Sequence, residues 1–186
     1  MTKKITFLLI FFLFFSSKII ASPKQEIINN LNETNNLSFE FKQKISKKSE
    51  QGKCQIEYPK LMYCLYYNED KKEIISNGRT LVIKNNKFNE TYVYPLKKTP
   101  LFYILDKDYI LNEIKNLEPE MAKPDKFKFL INDDLNKIKI FFHSKTFNLL
   151  GWETTDIYQN KVLFEISNIK KNQKINRGKF KLPNLN

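Results

Sequence analysis

The sequence predicts a mostly β (α+β) fold: one antiparallel sheet that is apolar on one face and polar on the other, interrupted by three short helices. The first observation behind this is period-two alternation, at Phe39 and Phe41, Ile56 and Tyr58, Leu81 and Ile83, Tyr92 and Tyr94, Phe127, Phe129 and Ile131, Ile138, Ile140 and Phe142, and Val162, Phe164 and Ile166. The second is that the opposite face of several runs holds lysines, among them Lys126, Lys128, Lys137 and Lys139. Such a pattern belongs to a sheet covered on one side only. The third is the absence of any long helical period: only Pro23–Asn32, Thr99–Asp106 and the residues after Asp108 read as helix.

Each element has a local reason. Residues 1–21 have the build of a secretion signal: Lys3 and Lys4, an apolar run from Phe7 to Phe15, then Ser16, Ser17 and Ala21. The run falls well short of the ~20 residues that span a bilayer. A mature chain starting near Ser22 is expected, and 22–186 reads as one domain, with no repeat, linker or compositional break. Pro23–Asn32 sets Ile27, Ile28 and Leu31 on one helical stripe. Residues 52–57 and 62–67 read as a hairpin around Tyr58-Pro59-Lys60-Leu61, which brings Cys54 and Cys64 nearly opposite each other. In an oxidising compartment that predicts a disulfide. Asn77-Gly78 is a turn signal before the β-branched run Thr80–Ile83. Thr99 offers a hydroxyl as N-cap with Pro100 at the first helical position, and the helix that follows is apolar on most of its circumference through Leu101, Phe102, Ile104 and Leu105. Asp108 is expected to cap a short helix containing Ile110, Leu111 and Ile114, and Asn132-Asp133-Asp134 to turn a hairpin. Trp152 reads as a core or rim aromatic.

The stretch Asn77-Gly78-Arg79-Thr80-Leu81, then Tyr94-Pro95-Leu96, Thr99-Pro100-Leu101 and Ile104-Leu105, resembles the LolA family of periplasmic lipoprotein carriers. The similarity extends to Phe39 and Phe41-Lys42-Gln43, to Gly52 with Tyr58-Pro59, and to Phe180 with Pro183. The resemblance implies an incomplete, unclosed antiparallel β-barrel with a lid of short α-helices over a hydrophobic cavity. It also implies a soluble periplasmic carrier that takes lipoprotein acyl chains from an inner-membrane LolCDE-type transporter towards an outer-membrane acceptor. On that basis the cavity and lid are expected to involve Ile27, Ile28, Leu31, Phe39, Phe41, Leu81, Ile83, Tyr92, Tyr94, Leu101, Phe102, Ile104 and Leu105, although core and cavity wall look alike in sequence. Many members carry an arginine before the proline matching Pro59, where it bonds lid backbone; Tyr58 stands there and is the candidate lid contact. No cysteine follows the apolar run closely, so a lipid-anchored relative such as LolB is not expected.

Composition removes several other classes. There is one histidine, His143, only four glycines, and no phosphate-binding loop, nucleophile elbow or metalloprotease motif, so neither an enzyme nor a cofactor or metal site is expected. The formal charge is +12, of which the signal contributes three, leaving +9. Lys170, Lys171, Lys174, Arg177, Lys179 and Lys181 could suit nucleic acid, but export argues against that partner; they read as solvated strand faces or as an anionic-surface patch. A monomer is expected. A carrier or sensor of another amphiphile, such as a phospholipid or glycolipid, remains the alternative on the same fold, and a filled barrel acting as a structural envelope protein is a third class.

Overall fold

The computed structural model describes residues 21–133, 136–156 and 159–184, so the secretion signal expected at 1–21 lies, but for its last residue, outside the described residues. A helix, α1 (Pro23–Glu33), precedes six strands: β1 (Asn36–Ile45), β2 (Lys48–Glu57), β3 (Leu61–Tyr66), β4 (Glu73–Asn77), β5 (Thr80–Asn85) and β6 (Glu90–Pro95). A 3-10 turn (Leu96–Lys98) leads to α2 (Leu101–Leu105) and α3 (Lys107–Lys115), followed by β7 (Glu120–Lys123), β8 (Lys126–Asp133), β9 (Asn136–His143), β10 (Leu149–Thr155) and β11 (Lys161–Lys171). A last 3-10 turn spans Arg177–Phe180.

All eleven strands form one antiparallel sheet in the order β6-β5-β4-β3-β2-β1-β11-β10-β9-β8-β7. The two edges, β6 and β7, do not pair, so the barrel is unclosed, and the chain between them supplies α2 and α3. Hairpin connections explain the near-sequential order; the one jump is β1 to β11, which joins the two ends of the chain at the centre of the sheet.

Alternation decides which side each residue takes. Leu37, Phe39 and Phe41 of β1, Cys54 and Ile56 of β2, Met62, Cys64 and Tyr66 of β3, and Phe129, Ile131, Ile138, Ile140 and Phe142 of β8 and β9 are all buried in one cluster. Cys54 and Cys64 occupy directly paired register positions and form the disulfide, with Cα atoms 4.1 Å apart. A separate, smaller apolar group lies on the outer face. There Ile75 and Val82 pair across β4 and β5, and Phe180 of the C-terminal turn is buried, the turn packing on β3 and β4.

Two glycines hold the sheet in this form. A Cβ on Gly52 would stand 2.2 Å from the Leu65 carbonyl oxygen and 2.7 Å from the Phe41 ring, so only glycine lets that ring lie across β2. Gly151, at φ +136°, sits at a register shift between β9 and β10 where a Cβ would meet the Phe164 carbonyl at 1.9 Å.

Two expected caps differ. Thr99 does not cap α2: its hydroxyl donates to the Leu96 carbonyl at 2.8 Å, closing the preceding 3-10 turn, and α2 starts after Pro100 with no side-chain cap. Asp106, not Asp108, caps α3 by accepting from the Tyr109 N–H at 3.2 Å, which leaves Asp108 in the first turn. At α3 two aspartates two positions apart compete for one role and the path of the chain selects between them, whereas at α2 the Leu96 carbonyl takes the hydroxyl that would have capped the helix. β8 and β9 pair as the expected hairpin up to Asp133 and Asn136, and Asp134 of the expected turn lies outside the described residues. Gly52→Ala should lower unfolding stability by at least about 2 kcal/mol through overpacking, read as a shifted urea midpoint. An unchanged midpoint would place the Phe41 ring elsewhere.

Candidate functional site

The inner wall is aromatic at its centre. The Tyr66 and Phe41 ring centroids are 4.8 Å apart, Phe41 stacks on Phe164 at 4.6 Å, and Phe164 stacks on Trp152 at 4.4 Å, a row that crosses from β3 to β10 over Gly52. Such pairs contribute about 0.5–1.5 kcal/mol each beyond their buried area. At the end of the wall away from the helices the lining turns polar. There the Glu50 carboxylate accepts from Asn68 at 3.0 Å and pairs with Lys72 at 2.8 Å and Lys48 at 3.2 Å. Burial pushes its carboxyl up, but the two ammonium groups outweigh that and hold it below the ordinary value.

Three helices cover the rest of the wall. Ser22 caps α1, accepting from the Gln25 N–H at 3.2 Å, and Ile27, Ile28 and Leu31 turn inward. From α3, Ile110, Leu111 and Ile114 do the same, with α1 packed on α3 and α3 on β8. The third helix, α2, is five residues long and buries Ile104 and Leu105 completely. A helix that short has no stability of its own, so α2 exists through its contacts.

Those contacts converge on Lys60, in the β2–β3 turn. Its backbone N–H donates to the Leu105 carbonyl at 2.9 Å, and its Nζ pairs with Asp106 at 2.8 Å and stands 4.8 Å from the Phe102 ring centroid. Lys60 is itself held by the buried Ser76, whose hydroxyl donates to the Lys60 carbonyl at 2.7 Å. One residue thus ties the end of α2 and the cap of α3 to the sheet. Lys107 adds a second tie, its Nζ donating to the Asn32 and Thr34 carbonyls at 3.2 and 3.0 Å.

Two clefts lie outside this interior. One of about 750 Å³ is lined by Asn32, Pro59, Lys60, Asp106, Asp108, Tyr109, Leu111, Asn112 and Lys115, on the polar side of the cover. The other, about 370 Å³, lies on the outer face around Glu40, Lys42, Gln51, Tyr67 and Glu165. The apolar interior itself holds the helices' own side chains. Among the described residues no cluster of three or more His, Cys, Asp or Glu could hold a metal. His143 has a structural partner set: its Nδ1 accepts from the Lys145 and Thr146 N–H groups, each at 3.1 Å.

An open sheet with a removable-looking cover is a common enough shape that sequence comparison has to decide the lineage. Residues 32–183 match the family described as outer membrane lipoprotein carrier protein LolA. The chain belongs to the LolA family. Among solved structures, a LolA superfamily protein from Nitrosomonas europaea aligns with 87% of this chain and 99% of its own, at 8% identity and a TM-score of 0.43. An outer membrane lipoprotein-sorting protein domain from Vibrio parahaemolyticus aligns over 86% and 97%, at 9% identity and 0.45. The MucA/MucB complex of Pseudomonas aeruginosa matches over 88% of this chain and 62% of that one, at 9% identity and 0.49. No curated relative matches the sequence.

Of the residues that the LolA resemblance singled out, the structure brings Ile27, Ile28, Leu31, Phe39, Phe41, Leu81, Ile104 and Leu105 into one buried cluster, with Leu101 and Phe102 half-buried at its margin. Ile83 is half-buried. Tyr92 and Tyr94 are not brought in: they are 48% and 43% exposed, because β6 is an edge strand that the helices do not reach, and the Tyr92 hydroxyl donates to Glu90. The hydrogen bond and ion pair from this turn to the helices come from Lys60, two residues after Tyr58, whose ring meets the cover through the Lys107 ammonium, 5.9 Å from the ring centroid. Tyr58 instead donates its backbone N–H to the Asn35 carbonyl at 3.0 Å. Its hydroxyl is buried without a hydrogen-bond partner, and burial pushes the phenol pKa up. Sequence reasoning passed over Lys60 because a lysine after a turn proline is ordinary; the wall residues of β8 to β11 showed in the alternation yet were not named as site residues. Lys60→Met should speed amide exchange in α2 and α3 by roughly fivefold while leaving β1 and β2 protected, as expected for the loss of about 1 kcal/mol of polar anchoring. Tyr58→Phe should leave that exchange unchanged and raise overall stability, since it removes an orphaned hydroxyl. Faster exchange in Tyr58→Phe than in Lys60→Met would return the anchor to Tyr58.

Proposed function

We propose that this LolA-family chain is a soluble periplasmic carrier that buries the acyl chains of lipoproteins between the sheet and its helical cover and takes them from the inner to the outer membrane. The observation that carries the reading is the cover itself. An apolar wall that a second sheet could seal permanently is closed instead by three short helices, one of them five residues long and dependent on Lys60.

The energetics favour exchange of cover for cargo. Undocking α2 re-exposes Ile104 and Leu105, at about 1.5–3 kcal/mol per side chain. Burying an acyl chain of some sixteen carbons recovers roughly 12 kcal/mol at about 0.8 kcal/mol per CH₂. A lipid tail can therefore displace the helix and occupy its place, and the helix can reclaim that place when the tail partitions into a bilayer. The aromatic row from Tyr66 to Trp152 offers the tail a mainly apolar surface, the Tyr66 hydroxyl being already engaged with Gln43 at 2.6 Å. No step in this cycle breaks a covalent bond, which suits a chain without a catalytic constellation.

The donor in this reading is a LolCDE-type transporter of the inner membrane, and the recipient is an outer-membrane acceptor or the membrane itself. Among the described residues no helix is long and apolar enough to cross a membrane. Native mass spectrometry of the exported protein mixed with a triacylated lipopeptide should show a one-to-one complex. Leu101→Asp, at a half-buried position where a charge does not enter the core, should weaken that complex at least about tenfold. A folded Leu101→Asp variant that loads equally well would remove α2 from the path. Preferential co-purification of a free phospholipid or glycolipid would replace the lipoprotein with another amphiphile.

A further inference from the structure

The end of the sheet that carries the helices holds charge that its surroundings do not balance. The register sets Lys171, Asn36, Glu57, Leu61, Asn77, Thr80 and Pro95 along that end. Three segments emerge there: the β4–β5 turn with Arg79, the 3-10 turn with Lys97 and Lys98, and residues 170–183 with Lys170, Lys171, Lys174, Arg177, Lys179 and Lys181; the last contains no acid at all. Three of these cations are used to hold the chain in place. The Arg177 guanidinium forks onto the Glu57 carboxylate, with Nε 2.9 and 3.1 Å from its oxygens; Lys171 donates to Asn30 at 3.2 Å; and Lys179 stands 5.8 Å from the Tyr63 ring centroid. Arg79, Lys97, Lys98, Lys170, Lys174 and Lys181 are exposed, and none has an acidic partner among the described residues.

The opposite end is different. Its turns at 46–50, 67–73 and 84–90 carry six cations against five acids, and they are joined by Lys48 and Lys72 on Glu50 and by Lys87 on Glu69 and Asp70. The excess charge at the helical end lies in these rim segments, chiefly residues 170–183, and not in the cover, where Lys24, Lys107 and Lys115 face Glu26, Glu33, Asp106, Asp108 and Glu113.

We propose that this cationic rim docks the protein on an anionic bilayer, with lipid headgroup phosphates as the counter-charge. The free cations are five lysines and one arginine, compact charges on flexible stems spread around a rim, which suits a plane of phosphates better than the bidentate recognition of a single partner group. Two of them, Lys97 and Lys98, lie in the 3-10 turn that packs on α2 and precedes its half-buried Leu101 and Phe102. Docking by the rim turns the removable part of the cover to the membrane, so a tail passing between the two crosses little water. The proposal relies on the carrier reading for its use, not for its occurrence.

The test is co-sedimentation of the cargo-free exported protein with phosphatidylcholine vesicles containing one-quarter phosphatidylglycerol, at low and at high salt. The protein should bind these vesicles at low salt, release at high salt, and ignore pure phosphatidylcholine. K170Q/K174Q/K181Q should weaken binding by roughly tenfold to a hundredfold, whereas the charge-matched K47Q/K71Q/K84Q at the far end should bind as the parent does. Equal losses in the two variants would reduce the attraction to net charge and overturn a docking face; so would a parent protein that fails to bind at low salt. Lipopeptide loading in solution separates the two readings: a parent protein that binds vesicles but takes up no lipopeptide counts against the carrier, one that takes up lipopeptide but binds no vesicles counts against the rim, and K170Q/K174Q/K181Q should load as the parent does.

Discussion

An eleven-stranded sheet with one apolar face has to hide that face, and this requirement organises the molecule. The outer side solves itself, because lysines there meet water and pair with Glu120, Glu153 and Glu165. The inner side cannot, since the sheet does not close and its edges β6 and β7 stay apart. The span from Leu96 to Lys115 crosses that gap and places Leu96, Ile104, Leu105, Ile110 and Ile114 in the interior, each no more than 1% exposed. One short piece of chain thus both joins the two edges and supplies two of the three helices that cover the wall, α1 supplying the third.

That arrangement makes the centre of the molecule firm and its cover conditional. The β1–β11 pairing, the Cys54–Cys64 staple and the aromatic row over Gly52 all lie in the middle of the sheet and do not involve the helices. The cover depends on apolar contact plus a handful of polar ties, chiefly those of Lys60. Folded-state stability and cover mobility can therefore be set separately, which is what a binding site opened from within requires.

The C-terminal segment has a comparable double use. Phe180 seals an apolar patch on the outer face that strand alternation alone would leave exposed at Ile75 and Val82, and Arg177 grips Glu57 one residue before Tyr58-Pro59-Lys60. The same segment that braces the anchoring turn from outside also carries Lys170, Lys174 and Lys181, half of the free cations at that end.

What could be read from the chain alone was whatever depends on near neighbours. Period-two alternation assigned Phe39, Phe41, Phe129 and Ile140 to the buried face, Asn77-Gly78 and Asp133 marked hairpins, and a midpoint turn put Cys54 opposite Cys64, because strand faces and tight turns are properties of a few consecutive residues. The family signature around Tyr94-Pro95 was likewise local. The tertiary structure decided what depends on which distant segments meet. Tyr92 and Tyr94 follow the same alternation as Phe39 but are exposed, because only the strand order shows that β6 is an edge. Asp108 was the expected cap of α3, and the chain direction after α2 gave that role to Asp106. Lys60 became the anchor because its turn faces the end of α2, and Tyr58 did not, because its hydroxyl points where no partner lies. Alternation and turn chemistry act over a handful of bonds, whereas an anchor is a meeting of residues more than forty positions apart, and only the folded chain arranges it.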